Sequence, residues 1–218
     1  EGKKENKRRL QEELGLKQSD SPLFSVVSRL VPNKGLDLML GGAQEILKAG
    51  GQFVLLGSGE KYYENAFLRL AESFPASISV NLEFNNEKAH RIYAGSDIFL
   101  MPSRYEPCGL SQLIAMRYGC IPLVHKTGGL SDTVTDELKD RGQETGFSFE
   151  AYSLDAMLET LKKVLRRYRR RAEWSRLVYR AMTRDSSWEG PAREYLSLYR
   201  EAMEKNAERK NKERKNTV

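Results

Sequence analysis

Residues 23–37, Leu23-Phe24-Ser25-Val26-Val27-Ser28-Arg29-Leu30-Val31-Pro32-Asn33-Lys34-Gly35-Leu36-Asp37, decide the fold. An apolar run of strand length gives way to a short loop with a proline and a glycine. A helical pattern then opens, with Leu36, Leu40, Ala43 and Leu47 recurring at 4, 3 and 4 and Asp37 in the first turn. Strand, loop and helix in this order form the first half of a βαβ unit. The unit repeats downstream. A strand over 53–56 is stopped by Gly57-Ser58-Gly59, and Tyr63, Phe67, Leu70 and Phe74 again repeat at 4, 3 and 4. Alternation at Ile78, Val80, Leu82 and Phe84 predicts a strand, and a short helix follows over 88–94. Further strands are expected at 98–101, 121–124 and 146–149, with helices at 109–118 and near 130–135 between them. The prediction is an α/β chain: a single Rossmann-like domain with a parallel sheet of about six strands and helices on both faces.

Composition narrows the function. The 218 residues suit one α/β domain or two small ones, and no apolar run is long enough to span a bilayer. Cys108 and Cys120, with only His90 and His125 beside them, make neither a disulfide framework nor a structural zinc site, which suits a cytosolic redox setting. No signal segment opens the sequence. Its start at Glu1 suggests a piece of something longer.

The formal charge of +6 sits at the ends, since residues 1–9 and 204–218 are each net +3. A second basic run, Lys162, Lys163, Arg166, Arg167, Arg169, Arg170 and Arg171, shares a predicted helix with Leu158, Leu161, Leu165 and Tyr168. The apolar residues form its buried face and the basic ones its wet face; Ser153 is the expected N-cap. A nucleic-acid surface would interleave aromatic residues with the cations, so nucleic acid is disfavoured. Beyond this helix, 188–203 reads as another. Residues 204–218 read as a basic, disordered tail whose only apolar groups are Ala207 and Val218.

Ligands of an open parallel sheet bind outside the carboxyl ends of its strands. Five loops qualify: 29–35, 57–61, 84–87, 103–111 and 125–130. The third glycine of a dinucleotide fingerprint would fall at Tyr62, so NAD is disfavoured, and no phosphate-binding P-loop or D-x-D metal clamp occurs. Sugar-nucleotide chemistry here would stabilise its leaving group with protein cations instead of a metal. Arg29 and Lys34 leave the first strand and suit that task. Glu106-Pro107-Cys108-Gly109-Leu110-Ser111 places a carboxylate and small residues at a helix mouth, and Lys126-Thr127-Gly128-Gly129-Leu130 is a second glycine-rich helix entry. Cys108 lacks an adjacent base, which favours a backbone role over thiol chemistry.

Four segments in order, 28–37, 90–97, 101–110 and 127–130, make the chain resemble the C-terminal domain of bacterial glycogen synthases and plant starch synthases. The similarity runs from about Asn6 to Tyr199. The resemblance implies the C-terminal half of a GT-B fold, in an enzyme that moves glucose from ADP-glucose to the non-reducing end of an α-1,4-glucan with retention and without a cofactor or metal. It implies catalytic roles for Glu106, Arg29 and Lys34, the two cations holding the diphosphate. Phe84, where Tyr is usual, would pack on adenine, in a nucleotide-sugar site completed by Gly57, Ser58, Cys108, Gly109, Leu110 and Ser111. Position 114 is Ile where the wider retaining pattern has a second Glu.

The implied organisation is an interdomain linker and entry helix over 1–20, a nucleotide-sugar-binding domain with a closing helix over 21–203, and the tail. The implied partners are ADP-glucose, the glucan and an N-terminal GT-B domain outside this sequence, without a membrane. The implied location is the cytoplasm, or a plastid in a plant. Two alternatives stay open: a GT-B domain with another donor such as UDP-glucose, and a non-catalytic module that binds polyanions through its basic tails.

Overall fold

The computed structural model describes residues 2–136 and 142–215, with side chains to residue 209. Six parallel strands form one sheet: β1 (Leu23–Val27), β2 (Gln52–Leu56), β3 (Ile78–Asn81), β4 (Ile98–Met101), β5 (Ile121–His125) and β6 (Phe147–Phe149). Their order is β3-β2-β1-β4-β5-β6. The chain builds outward from β1 through β2 to β3, crosses back to β4 on the other side, and builds outward again. This makes the gap between β1 and β4 the topological switch point.

Both sheet faces are dry because successive strand residues point to opposite sides. Phe24, Val26, Phe53, Leu55, Ile98, Leu100, Ile121 and Leu123 join one core cluster. Leu23, Val54, Leu56, Phe99, Met101 and Val124 join the other. The first face is covered by α2 (Leu36–Lys48), α3 (Lys61–Ser73), α7 (Leu154–Arg169) and α8 (Arg171–Thr183). The second is covered by α1 (Gly2–Glu13), α4 (Asn86–Gly95), α5 (Ser111–Arg117) and α6 (Gly128–Thr133). The six-stranded Rossmann-like architecture is the one the sequence predicts.

Several local expectations are corrected. The predicted strand at 78–84 ends at Asn81, which pairs with Leu56, the last residue of its only neighbouring strand. Beyond Asn81 no partner backbone remains, so Phe84 lies in a loop, and Asn85 caps α4 by accepting from Lys88 N at 2.9 Å. The predicted helix at 109–118 starts only at Ser111, because Gly109 has φ of 74°. The basic run does not share one helix: α7 stops at Arg169 and α8 begins at Arg171. The buried face of α7 is Met157, Thr160, Leu161, Val164 and Tyr168, with Leu158 and Leu165 only partly buried at its flanks. Ser153 does cap it, accepting from Ala156 N at 3.2 Å. Nor is every cation solvated, since Arg167 reaches the buried carboxylate of Glu144 at 3.0 Å.

The amino end is more than a linker. Lys7 is buried, 2.7 Å from Asp97 Oδ2 and 3.1 Å from the Tyr168 hydroxyl. Asp97 Oδ2 also accepts from Leu23 N at 2.9 Å. One buried carboxylate thus ties α1, β1 and α7 together, and Lys7 is a core residue despite its place in a basic run.

The chain divides into two compact units, Glu1–Arg184 and Asp185–Val218. The entry helix α1 belongs to the first unit and the segment read as a closing helix to the second. In the second unit α9 runs over Glu189–Lys215, so residues 204–215 are helical where a disordered tail is expected, and 216–218 lie outside the described residues. Glu, Lys, Arg and Ala dominate there. Glu201 and Lys205 stand four apart, a spacing that supports a solvated helix. No helix among the described residues is long and apolar enough to cross a membrane.

Candidate functional site

The loops that leave β1 and β4 meet at the switch point. A 3-10 turn, Pro32–Lys34, follows β1, and Gly35 then lies so close to the next loop that a Cβ would stand 2.0 Å from Pro102 O. Arg104 N donates to Asn33 O at 3.0 Å, which locks the two loops together. This packing brings Lys34 Nζ within 2.6 Å of Glu106 Oε2, although 72 residues separate them. Glu106 is only 8% exposed, and the same Oε2 accepts from Ser103 Oγ at 3.0 Å.

Arg29 lies beside this pair but is exposed and has no ion-pair partner among the described residues. It lines two adjoining cavities, each walled by Val27 and Ser28. The first, about 270 Å³, is mostly apolar and also takes in Gly57, Ser58, Phe84, Tyr93 and Ile114. The second, about 190 Å³, is polar and takes in Lys34, Ser103 and Ser111. One cavity therefore suits a flat apolar ring and its neighbour suits anionic groups, with Arg29 at the join. Phe84 is 95% exposed at the rim of the first cavity. A bare phenyl ring in that position is covered when a planar base stacks on it.

Glu106 and Lys34 are brought into direct contact, and Arg29, Gly57, Ser58 and Phe84 share one cavity. Ser111 lines the other. Cys108, Gly109 and Leu110 line neither and form the adjoining rim. Their amides donate to no acceptor among the described residues, which leaves three N–H groups for a ligand. The rim is held from behind by Gly128 and Gly129, since a Cβ would stand 2.2 Å from Glu106 O or 2.1 Å from Cys108 O. Gly129 N donates to Glu106 O at 3.1 Å. The glycine-rich loop after β5 is thus a buttress, and only glycine permits the approach.

Neither cysteine is placed for nucleophilic work. The Cys108 thiol is exposed, and its one hydrogen bond among the described residues goes to Gly109 O, at 3.8 Å. Burial pushes the Cys120 thiol up to about 12. Burial also raises the Tyr93 phenol, partly offset by the Ser111 hydroxyl. No three His, Cys, Asp or Glu side chains converge as metal ligands among the described residues.

Sequence reasoning missed Ser103, His125 and Gln112 as parts of the site. His125 Nδ1 lies 2.8 Å from Ser103 O and Nε2 lies 3.2 Å from Glu150 O, and both of these oxygens are carbonyl acceptors. Gln112 Nε2 donates to Gly109 O at 2.8 Å and to Thr133 Oγ1 at 2.9 Å, pinning the rim to α6. A larger hollow of about 490 Å³ adjoins Asp136 and Lys163. It contains none of the expected site residues.

A parallel sheet in this order, with cations and free amides gathered at its switch point beside an apolar slot, defines a Rossmann-like domain of the kind found in GT-B enzymes. The sequence pattern of the group 1 glycosyl transferases matches residues 7–180, and the chain belongs to that family. It is 50% identical over 203 residues to a glycogen synthase of Kosmotoga olearia, covering 93% of this chain and 43% of that protein. A glycogen synthase of Desulforudis audaxviator is 48% identical over 209 residues, 95% of this chain and 42% of that protein. The chain thus spans less than half the length of these curated relatives.

Among solved structures, the catalytic domain of starch synthase IV from Arabidopsis thaliana, bound to ADP and acarbose, superposes with a TM-score of 0.86 at 38% identity, covering 92% of this chain and 43% of that one. The C-terminal domain of a group 1 transferase from Francisella tularensis shares the fold alone, with a TM-score of 0.65 at 16% identity over 82% of this chain and 90% of that one.

Proposed function

We propose that this chain is the donor-binding domain of a glycogen or starch synthase that transfers glucose from ADP-glucose to the non-reducing end of an α-1,4-glucan with retention. The observation that carries the reading is the Lys34–Glu106 pair at the switch point, beside an apolar slot rimmed by an exposed phenyl ring. Adenine stacks on Phe84 in the slot. The diphosphate lies across Arg29 and Lys34, with Ser111 and the Gly57-Ser58 backbone beside it. Glucose sits against Glu106 and the amides of Cys108, Gly109 and Leu110.

In the transfer the bond from the glucosyl carbon to the β-phosphate oxygen breaks, a bond to the acceptor hydroxyl oxygen forms, and ADP leaves with the electron pair, its β-phosphate oxygen taking the acceptor's proton. Arg29 and Lys34 stabilise the charge that develops on ADP, the task a metal performs in other transferases. The high identity to glycogen synthases and the resemblance to an ADP-bound starch synthase support this donor. On this reading the enzyme works in the cytoplasm, or in a plastid if the source is a plant, and needs a second GT-B domain to close the cleft.

Thermal shift with ADP against UDP tests the donor. ADP is expected to raise the melting temperature more than UDP. In Phe84→Ala that ADP shift should shrink, with affinity falling by the ~1–3 kcal/mol typical of one base stacked on one aromatic ring. Melting without nucleotide should stay unchanged, because Phe84 buries almost nothing. Equal shifts with UDP would instead favour the other-donor alternative. The 218-residue chain is also expected to bind nucleotide without extending glucan, since losing even one preorganised donor commonly costs ~10²-fold to 10³-fold in rate. Incorporation of labelled glucose from ADP-glucose into glycogen checks this.

A further inference from the structure

Glu106 presents its two oxygens unequally. Oε2 takes both Lys34 Nζ and Ser103 Oγ, while no described residue donates to Oε1. Ser103 is fully buried two residues past the end of β4, so its hydroxyl has little freedom to turn elsewhere. Its backbone is held in turn: Ser103 O accepts from Nδ1 of His125, the last residue of β5. The His125 ring lies edge-on to Tyr152, with centroids 5.2 Å apart.

Tyr152 donates to Asp37 Oδ1 at 2.7 Å, and the Arg104 guanidinium lies 4.2 Å over its ring. Burial, reinforced by Asp37, pushes the Tyr152 phenol up to about 12, so it remains a donor throughout the neutral range. Asp37 stands three residues past Lys34. These contacts and the short backbone segment from Lys34 to Asp37 close a ring through Glu106, Ser103, His125 and Tyr152, joining the loops that follow β1, β4, β5 and β6.

We propose that Ser103 is a positioning residue for Glu106. Its hydroxyl keeps Oε2 turned to Lys34, which leaves Oε1 as the oxygen offered to the hydroxyls of the donor sugar. This rests on the donor reading above and deepens it. Without Ser103 the carboxylate keeps a single partner and can exchange its oxygens at Lys34, so the ordering of Oε1 is lost. The signature is specific: a ligand that carries glucose feels the change, and the same nucleotide without glucose does not.

Calorimetric titration of the 218-residue chain with ADP-glucose and with ADP measures this. In Ser103→Ala the affinity for ADP-glucose is expected to fall about tenfold, the effect of disturbing one hydrogen bond to a charged group, while that for ADP stays within about twofold. In a Glu106→Gln background Ser103→Ala should cost nothing further, because the residue it positions is already altered. His125→Phe keeps a ring of similar shape and loses the bond to Ser103 O, so it should shift the ratio of the two affinities in the same direction. This second variant decides the matter if Ser103→Ala does not fold.

Equal losses for both ligands, or a Ser103→Ala cost that adds fully to that of Glu106→Gln, would overturn the proposal and make Ser103 merely structural. Failure of the unsubstituted chain to bind either ligand would overturn the donor reading itself, and this one with it.

Discussion

Replacing both Arg29 and Lys34 by alanine is expected to remove saturable ADP binding at concentrations where the unsubstituted chain binds. Each cation makes a charge-assisted contact worth ~1.5–3 kcal/mol. Together they amount to roughly 10²-fold to 10⁴-fold in affinity, nearer the lower figure because two groups on one ligand are coupled. The single variants should differ in a telling way. Arg29 is exposed and has no ion-pair partner among the described residues, so Arg29→Ala should weaken ADP and leave stability within about 0.5 kcal/mol. Lys34→Ala also strips the buried Glu106 of its counter-charge, so it should lower stability as well. Calorimetry for ADP and urea unfolding for stability separate the two effects. ADP binding retained within tenfold in the double variant would remove the diphosphate role from this pair.

Lys7→Met is expected to lower the stability of the sheet-containing unit by about 3 kcal/mol. Removing one member of a buried ion pair strands the other, which commonly costs 3–5 kcal/mol. The lower end applies here because Asp97 keeps the Leu23 N–H and the Tyr168 hydroxyl as donors. Arg8→Ala is the control on the same helix. Its pairs with Glu5 and Glu12 are exposed, so it should leave the urea midpoint nearly unchanged. Urea midpoints for the two variants test the contrast; similar midpoints would mean that α1 is only a solvated lead-in to the sheet.

The strands were the most legible part of the chain. Buried β runs such as Phe53–Leu56 and Ile98–Met101 are apolar on both faces and bounded by polar or glycine residues, so a local reading finds them. The helix α8 was not found, although Trp174, Leu177, Val178 and Ala181 recur at helical spacing. The dense positive charge before it drew the reading toward one long wet helix, whereas Arg167 bonds the Glu144 and Glu173 carboxylates. The strand expected to reach Phe84 showed the opposite failure, since alternation continued past the point where a neighbouring strand was available. The basic tail was read from its lack of apolar groups, which does not register how well Glu, Lys, Arg and Ala sustain a solvated helix.

In the site, Arg29, Lys34 and Glu106 were legible because a charged residue just past a buried strand has few places to go except the crevice above the sheet. Ser103, His125 and Gln112 were not. Ser103 acts on Glu106 three residues on, His125 on Ser103 O and Gln112 on Thr133 of α6, and nothing in the local pattern distinguishes a serine that holds a carboxylate from one that ends a strand.

The sequence alone therefore determined the periodicities, and with them the alternation of strands and helices, the parallel sheet and the loops at its carboxyl edge. Those are short-range properties, set by which side chains must leave water together. The tertiary structure decided which loops touch. Strand order puts β1 beside β4, glycines at 35, 128 and 129 let backbones approach within reach of a Cβ, and the resulting ring of contacts turns a lysine and a glutamate 72 residues apart into one site. Pairings at that range depend on the fold as a whole, because the energy that brings the two loops together comes from burying the sheet beneath them.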